Sequence, residues 1–336
     1  MSNLNHQTFY RSILTSRFRT SNLINFLDAI GDDQDQNALY LTFGMATKWS
    51  DREEDVGFAP PYPLDDLEGV STVWQNIEGV LKVNKELIDP VIPRRDWGDT
   101  NYSSPSTFRI GDIVVTNTAR FNKTDDIGGW TVYRCIDVPS DGGCSIEDFT
   151  DKNTCIEVGG IWTPSRQSIY PPEGRGDAES MGVYPDGYVW EYLYTIPLDV
   201  AVDRCTNELL VVPTPQELKE NPARWGYQDR ITHEHELYDL IFRVKAVSMR
   251  FRAYLDAIYF PSSALPSNNG FRQISLILNP LESKKKPQDP NKFAKGVSYT
   301  KDGLMRNSGE MIYIENRPPI YRSMDQAEQI NIIFEV

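Results

Sequence analysis

Cysteine and histidine are scarce in this sequence. Its 336 residues contain four cysteines and three histidines, which is too sparse for the disulfide scaffold of a small secreted protein. No C-x-x-C pair occurs, and no histidine lies at the spacing of a zinc ligand. We expect free thiols at Cys135, Cys144, Cys155 and Cys205. Cys144 and Cys155 bound one loop and are the only pair for which we would test a bridge.

Long apolar runs are also missing. None approaches the ~18 residues that a membrane-spanning helix requires, and the polar start MSNLNHQTFYRS lacks the apolar core of a secretory signal. We therefore expect no membrane partner, and a protein that stays in the cytoplasm where it is made or is released by lysis.

Positive charge is in deficit. The chain has 34 basic and 48 acidic residues, a net charge of -14 and a pI near 4.8. Binding to phosphate requires clustered lysine and arginine, so this balance argues against a nucleic-acid partner. The only basic run, at residues 284–286, lies between prolines and is typical of a solvated loop.

Catalytic motifs are absent too. The sequence contains no phosphate-binding loop, dinucleotide fingerprint, nucleophile elbow or H-E-x-x-H. His233 and His235 lie two residues apart without a third metal ligand at a recognisable spacing, which favours an exposed polar turn. We predict no catalytic residue, no metal, no cofactor and no small-molecule substrate.

Short runs of β-branched and aromatic residues are what the sequence has in abundance, separated by turns that use much of its 22 prolines and 22 glycines. Alternation with polar residues predicts half-buried strands. The predicted strands are 38–43, 108–116, 130–138, 188–196, 208–212, 238–244, 251–260, 271–278, 310–315 and 329–336.

Two helices are predicted as well, one before and one after the strand 38–43. Ser21 is a candidate N-cap for a helix that stops at Gly31. After the proline-rich linker VGFAPPYP, apolar residues recur at three- and four-residue steps and predict a helix from Leu64 to Leu81. The region 139–187 is the largest loop excursion, and 280–307 is expected to be an exposed polar loop.

The stretch 171–197 combines a charged, glycine-rich loop with an aromatic strand. Arg175-Gly176-Asp177 matches an integrin-binding tripeptide, but its proline and glycine neighbours favour a stiff, internally paired bend. Trp190 and the neighbouring tyrosines are either core or interface residues. A glycan-binding or glycan-cleaving alternative would use Asp186 and Glu191 as its carboxylates.

A second cluster, Arg94, Arg95 and Trp97, lies in the stretch IPRRDWGD. Arginine beside an aromatic ring suits stacking and bidentate pairing, which fix either loops or interfaces. Both roles stay open for these three residues, and for Arg175, Asp177 and Trp190.

Eight stretches in one order carry a family resemblance. They are VGFAPPYP, VIPRRDWGDT, WTVYRC, PPEGRGDAE, DGYVWEYL, RCTNE, GFRQIS and SGEMIYIENRPPI. With these motifs the chain resembles the gene 8 baseplate wedge proteins of T-even-type contractile-tailed bacteriophages, along essentially its whole length.

The resemblance implies a fold, a role and partners. The fold would be mainly β, a layered antiparallel β-sandwich with long loops carrying a few short helices, in a single subunit over residues 1–336. The role would be that of a non-enzymatic structural protein, homodimeric, in the baseplate of the virion tail. It would bind other wedge proteins during assembly in the host cytoplasm and take part in the rearrangement that triggers sheath contraction.

Overall fold

A computed structural model describes most of the chain: residues 14–30, 39–83, 87–98, 107–117, 129–176, 182–227, 233, 235–255, 270–281, 298–300, 303–321 and 328–335. The chain forms two compact units. Unit 1 comprises Met1–Leu23, Asp89–Ser248 and Val336, and unit 2 comprises Ile24–Ile88 and Met249–Glu335. Both units are thus assembled from segments far apart in sequence.

Helices are short in the described part of the chain. They are α1 (Ser16–Ala29), α2 (Leu67–Asn76), α3 (Lys152–Glu157), α4 (Leu198–Arg204), α5 (Pro215–Glu220) and α6 (Glu236–Val244), with a 3₁₀ turn at Pro222–Trp225. Several of them have side-chain N-caps. At the start of α3, Asp151 accepts a hydrogen bond from the Thr154 amide. Asp66 accepts a hydrogen bond from the Gly69 amide, and Thr214 forms a reciprocal capping box with Glu217. No described helix is long and apolar enough to cross a membrane.

The described residues contain more strand than helix. The strands are β1 (Leu39–Gly44), β2 (Ile77–Val83), β3 (Ile88–Pro93), β4 (Ile113–Asn117), β5 (Gly129–Asp137), β6 (Gly142–Cys144), β7 (Trp162–Pro164), β8 (Val189–Pro197), β9 (Leu209–Val211), β10 (Ser248–Leu255), β11 (Gly270–Leu278), β12 (Ser298–Thr300), β13 (Glu310–Tyr321) and β14 (Glu328–Glu335).

Unit 2 contains a five-stranded antiparallel sheet in the order β12-β2-β1-β11-β13. Its central strand β1 is buried along its whole length. Tyr40 on β1 packs in a cluster with Trp74 of α2 and Val80 of β2. Burial on both faces explains why β1 has a nearly continuous apolar sequence and no clean alternation.

Unit 1 is organised around a three-stranded antiparallel sheet in the order β4-β5-β8. Strand β8 is buried from Trp190 to Pro197, so the aromatic side chains on both of its faces belong to the core. Two smaller antiparallel pairings, β3 with β9 and β6 with β7, complete the described strands of this unit.

The predicted mainly β class, with several antiparallel sheets and few short helices, is confirmed. Strands were found at most of the predicted positions, including 38–43, 130–138, 188–196 and 271–278. Whether the whole chain acts as a single multilayer subunit stays a prediction. Most of the predicted polar loop 280–307, including its lysine run, lies outside the described residues.

Three element predictions were wrong. Residues 238–244 form part of helix α6, where Leu237, Leu240, Ile241 and Val244 supply a buried stripe at helical spacing. The run LYDLIFRV contains few turn residues, so its sequence pattern alone does not distinguish a strand from a helix. The packing of its apolar side chains favours the helix.

The first helix begins earlier than predicted. It starts at Ser16, and Ser21 lies inside it with its hydroxyl donating to the Arg17 carbonyl. A serine within a helix forms this i to i-4 bond instead of a cap.

The predicted helix 64–81 is divided between two elements. Helix α2 ends at Asn76, and strand β2 begins at the next residue. Ile77 and Leu81 are buried, but they are strand residues. They pair with Gly44 and Leu41 of β1. The apolar stripe is core only in its second half: Trp74, Ile77 and Leu81 are buried, whereas Leu64 and Leu67 are 64% and 93% exposed. Sheet pairing set the secondary structure after Asn76.

The free-thiol prediction was also wrong for two cysteines. Cys144 and Cys155 form a disulfide with a Cα–Cα distance of 5.8 Å. The β6–β7 hairpin and helix α3 bring them together, and both contact Gly160, where a Cβ would lie 2.8 Å from each sulfur. The bond therefore requires a residue without a side chain at position 160. Cys135 and Cys205 form no disulfide.

Candidate interface and loop-anchoring sites

Arg94 follows strand β3 and binds groups from three parts of unit 1. Its guanidinium forms a forked ion pair with Asp96, with nitrogen–oxygen distances of 2.6 and 2.7 Å, and donates to the Thr206 carbonyl. The same group lies 4.2 Å from the ring centroid of Trp130 on β5. A bidentate pair stacked on an aromatic ring is an arrangement that lysine could not reproduce.

Arg95 makes a parallel set of contacts with different elements. It pairs with Asp112 at 2.6 Å, donates to the Thr107 carbonyl at 3.0 Å and lies over the ring of Phe108 at 4.3 Å. Its carbonyl accepts a bond from the Val115 amide. Arg95 thus holds the turn that precedes β4.

Trp97 completes this cluster. Its indole nitrogen donates to the Ser168 hydroxyl at 3.3 Å, and its backbone amide donates to the Val115 carbonyl. The segment 94–97 therefore connects β3, β4, β5 and the loop around residue 168. The structure brings Arg94, Arg95 and Trp97 together within unit 1, and whether they act as loop anchors or at an interface between proteins stays a prediction.

Arg175 lies in a half-buried bend. Two tyrosines fix this bend: the Tyr133 hydroxyl donates to the Gly174 carbonyl, and Tyr184 bonds the backbone of Glu173 through its hydroxyl. Burial raises the pKa of Tyr133, and the charge of Arg175 opposes that increase. Asp177, the third member of the tripeptide, lies outside the described residues, so internal pairing of the tripeptide is untested.

Trp190 lies in the core of unit 1 and is fully buried. Its ring contacts Phe108 edge-on at a centroid distance of 5.1 Å and stacks with Tyr188 at 6.2 Å. Tyr192 and Tyr194 are buried as well. Within the chain the aromatic strand is therefore core, which leaves no exposed aromatic face on β8 for stacking a sugar.

Asp186 and Glu191, the carboxylates of the glycan alternative, are both bound to the protein itself. Asp186 is 3% exposed and accepts hydrogen bonds from the backbone amides of Ile169, Tyr170 and Tyr188. Glu191 forms ion pairs with Arg134, at 2.6 Å, and with Arg243 of α6. These contacts give the two carboxylates structural partners and do not favour the glycan alternative.

Sequence reasoning missed three buried or half-buried ionic groups. The first is the Arg134–Glu191–Arg243 group. In the second, Arg204 binds Asp89 at 2.6 Å and Glu217 at 2.5 Å. Burial of Arg204 works to lower its pKa, but the bond to Glu217 and the charge of Asp89 outweigh burial and raise it.

The third missed group lies in unit 2. Arg272 of β11 forms an ion pair with Glu53 in which its Nε donates to both carboxylate oxygens, at 2.7 and 2.9 Å, and it also donates to the Ala46 carbonyl and the Tyr321 hydroxyl. Arg272 and Glu53 are 219 residues apart in the chain. No local pattern links such partners, although Arg204 and Arg272 lie within stretches that carry the family resemblance.

His233 and His235 lie at the start of α6, with their rings stacked at 5.6 Å. The His233 amide donates to the Glu236 carboxylate in the turn that leads into α6. Among the described residues, no group of three or more histidine, cysteine or carboxylate side chains is arranged to hold a metal ion.

The described fold and these contacts define a class of protein: a β-rich body whose arginine, carboxylate and aromatic groups are used to fix its own long loops. Comparison with known proteins then identifies the family. The chain belongs to the Gp8 family of bacteriophage T4, which matches residues 12–336.

The similarity to one relative is extensive. The chain is 57% identical over 325 residues to the baseplate wedge protein gp8 of Enterobacteria phage T4, and the match covers 97% of each chain. The family resemblance stated from the sequence is thereby confirmed.

Proposed function

We propose that this protein is a structural subunit of the baseplate wedge in a bacteriophage tail. The observation that carries the proposal is the 57% identity to a baseplate wedge protein over 97% of both chains. The family match over residues 12–336 covers every described element of both units.

The contacts of the charged residues support the same role. A wedge subunit that is bound by neighbours needs loops of defined shape. Arg94, Arg204 and Arg272 each connect segments more than 100 residues apart, through Thr206, Asp89 and Glu53. Bidentate and multiply bonded arginines restrict the geometry of the loops that they join.

The proposal includes finer points. The protein forms a homodimer, binds neighbouring wedge proteins while the baseplate assembles in the host cytoplasm, and resides in the virion. It takes part in the rearrangement that triggers sheath contraction. Support for these points comes from family membership.

Complementation tests the proposal directly. A phage that lacks the T4 relative would be grown in cells expressing this chain, with the relative itself as the positive control. We expect virions that contain this protein in the baseplate and plaques above the level of the empty vector. Failure both to complement and to co-assemble with wedge proteins of its own phage would contradict the proposal.

We propose further that Arg95 acts as a loop anchor within the subunit. Replacing it with alanine should lower the free energy of unfolding by about 1–3 kcal/mol, because Asp112 and the Thr107 carbonyl lose a charged donor. Arg109→Ala is the control, since Arg109 is exposed. Unchanged urea unfolding with weakened wedge assembly would instead place Arg95 at an interface.

A further inference from the structure

An exposed proline-rich segment in unit 2 has no role in the core described so far. The proline-rich segment, residues 58–64, has the sequence FAPPYPL and precedes helix α2. Tyr62 is 95% exposed, and Leu64 is 64% exposed. Leu67, in the first turn of α2, is 93% exposed. Three large apolar or aromatic side chains within six residues thus face solvent.

This segment is fixed in place despite its exposure. The Pro61 carbonyl accepts a hydrogen bond of 2.9 Å from the Asn316 side-chain amide, and Asn316 is itself bound by Gln273 of β11 at 2.7 Å. At the other end, Asp66 caps α2 through the Gly69 amide. A Cβ at Gly69 would lie 2.5 Å from the Leu64 Cβ, so glycine at this position permits the close approach of Leu64.

Its backbone chemistry selects one mode of recognition. Pro60, Pro61 and Pro63 have no amide hydrogen, which prevents the segment from adding a full strand to a sheet. Proline also restricts the residue before it to extended conformations, so residues 59–63 favour a polyproline II helix. Such segments bind in grooves lined by aromatic side chains, at a low cost in conformational entropy.

Charge around the segment indicates which partner would fit. Residues 48–68 contain seven carboxylates and only two cations. Both cations are already paired, Lys48 with Glu54 and Arg52 with Asp55. A complementary groove would therefore have lysine or arginine at its margin. A second copy of this chain, with a net charge of -14, is electrostatically a poor match.

We propose that residues 58–68 dock into an aromatic-lined groove with a basic margin on another protein of the baseplate. Tyr62 is the anchor, Leu64 and Leu67 extend the apolar contact, and Asp65 and Glu68 meet the basic margin. The inference rests on the proposed function, because it takes a baseplate neighbour as the occupant.

Crosslinking in the assembled wedge tests the occupant. A photo-crosslinking phenylalanine analogue replaces Tyr62 in the full chain, which is then mixed with the wedge proteins of the same phage. We expect a crosslink to one of those proteins, mapped to a stretch containing tryptophan, tyrosine or phenylalanine near lysine or arginine. The same analogue at Val202, which is 77% exposed on α4, is the control position.

Binding measurements test the contribution of the anchor. Tyr62→Ala should weaken binding of the chain to that wedge protein at least tenfold, with an unchanged circular dichroism spectrum and Tm. Pro63→Gly should weaken it as well, because the freed backbone must be ordered on binding. Asp65→Asn with Glu68→Gln should slow association and reduce its dependence on salt. Val202→Ala should bind as the wild type does.

The results that would overturn the docking proposal differ from those that would overturn the proposed function. A crosslink from position 62 to a second copy of this chain, or a Tyr62→Ala variant that binds the wedge proteins at wild-type strength, overturns the docking proposal while wedge assembly remains. Failure of the wild-type chain itself to bind any wedge protein overturns the proposed function and this inference together.

Discussion

At the scale of single residues, the buried ion pair between Arg272 and Glu53 is the clearest feature of unit 2. Its side chains are 3% and 2% exposed, and Arg272 also binds the Tyr321 hydroxyl. Removing water from two charges is costly, and the pair is tolerated because each guanidinium nitrogen of Arg272 has an acceptor. The loss of one partner would leave a buried charge without compensation.

We expect Arg272→Met to lower the free energy of unfolding by about 3–5 kcal/mol, measured by urea denaturation. Arg52→Met is the matched control because the Arg52–Asp55 pair is 84% and 56% exposed, and it should cost less than about 1 kcal/mol. The double change Glu53→Gln with Arg272→Met should cost less than the single change. Equal losses at positions 52 and 272 would show that burial does not decide the effect.

Buried tyrosines make the stability of the protein depend on pH in the alkaline range. Burial raises the pKa of Tyr188 to about 12, and it raises the pKa of Tyr194 well above its ordinary value. In the unfolded chain both phenols lose their protons near pH ~10. The unfolded state therefore binds fewer protons than the native state above this pH, and stability falls as pH rises.

We expect the urea midpoint to be nearly constant from about pH 7 to about pH 9 and to fall between about pH 10 and about pH 12. Absorbance of tyrosinate, recorded in parallel, should increase together with unfolding. Tyr188→Phe should make the fall less steep, although it also removes the bond from the hydroxyl to the Arg166 carbonyl. A midpoint that rises in this range would contradict the direction of the shifts.

At the scale of elements, the β6–β7 hairpin and α3 form a small cross-linked substructure inside the excursion 139–187. The Cys144–Cys155 disulfide closes a loop of 11 residues. Asp151 caps α3, and Lys152 binds both Asp137 and the Val138 carbonyl, which connects α3 to the end of β5. The excursion is thus an ordered element with its own anchors.

Removal of the disulfide should destabilise this element. We expect Cys144→Ala with Cys155→Ala to lower the free energy of unfolding by about 2–3 kcal/mol, because the unfolded chain regains the entropy of an open loop. A reductant should lower the stability of the wild type by a similar amount and leave the double variant unchanged. Mass spectrometry of the unreduced protein should find peptides joined at these cysteines; two free thiols in air-oxidised protein would contradict the bond.

At the scale of the whole molecule, the family match extends over residues 12–336 and so through both units. Two-fold symmetry is the commonest arrangement of soluble homo-oligomers, and a two-fold dimer presents each surface of its subunit twice. This makes the proposed homodimer the property of the intact protein that is most directly measurable.

We expect light scattering with gel filtration to give a mass about twice the 38.4 kDa of one chain. Tyr62→Ala should leave this mass unchanged, because the proline-rich segment is proposed to bind a different protein. A mass of one chain at micromolar concentration would contradict the homodimer but not the family assignment.

The sequence predicted most strands correctly where strong local patterns exist, as at 130–138 and 188–196. Sequence patterns led to wrong predictions where the same pattern fits both a helix and a strand. LYDLIFRV fits a strand in composition, and only its packing as α6 decides between strand and helix. Ile77 and Leu81 continue a helical spacing, but pairing with β1 converts them to strand. In both cases tertiary contacts override a local preference.

The candidate site residues show the same division. An arginine beside a tryptophan at 94–97 indicates a stacking or pairing role, and the structure shows such contacts for both Arg94 and Arg95. The partners themselves were not predictable because they come from other parts of the chain, Trp130 from β5 and Asp112 from the turn before β4. The aromatic run at 188–194 was left as core or interface, and burial of Trp190 assigns it to the core of unit 1.

By itself the sequence determined the acidic charge, the β-rich class, the lack of familiar catalytic motifs and the family, since each is a property of composition or of local order along the chain. Only the tertiary structure decided the disulfide, the buried ion pairs and the anchoring of residues 58–64. Each of these depends on groups brought together from different segments, such as Glu53 with Arg272 and Pro61 with Asn316. Their energies arise from burial and geometry, which no local pattern contains.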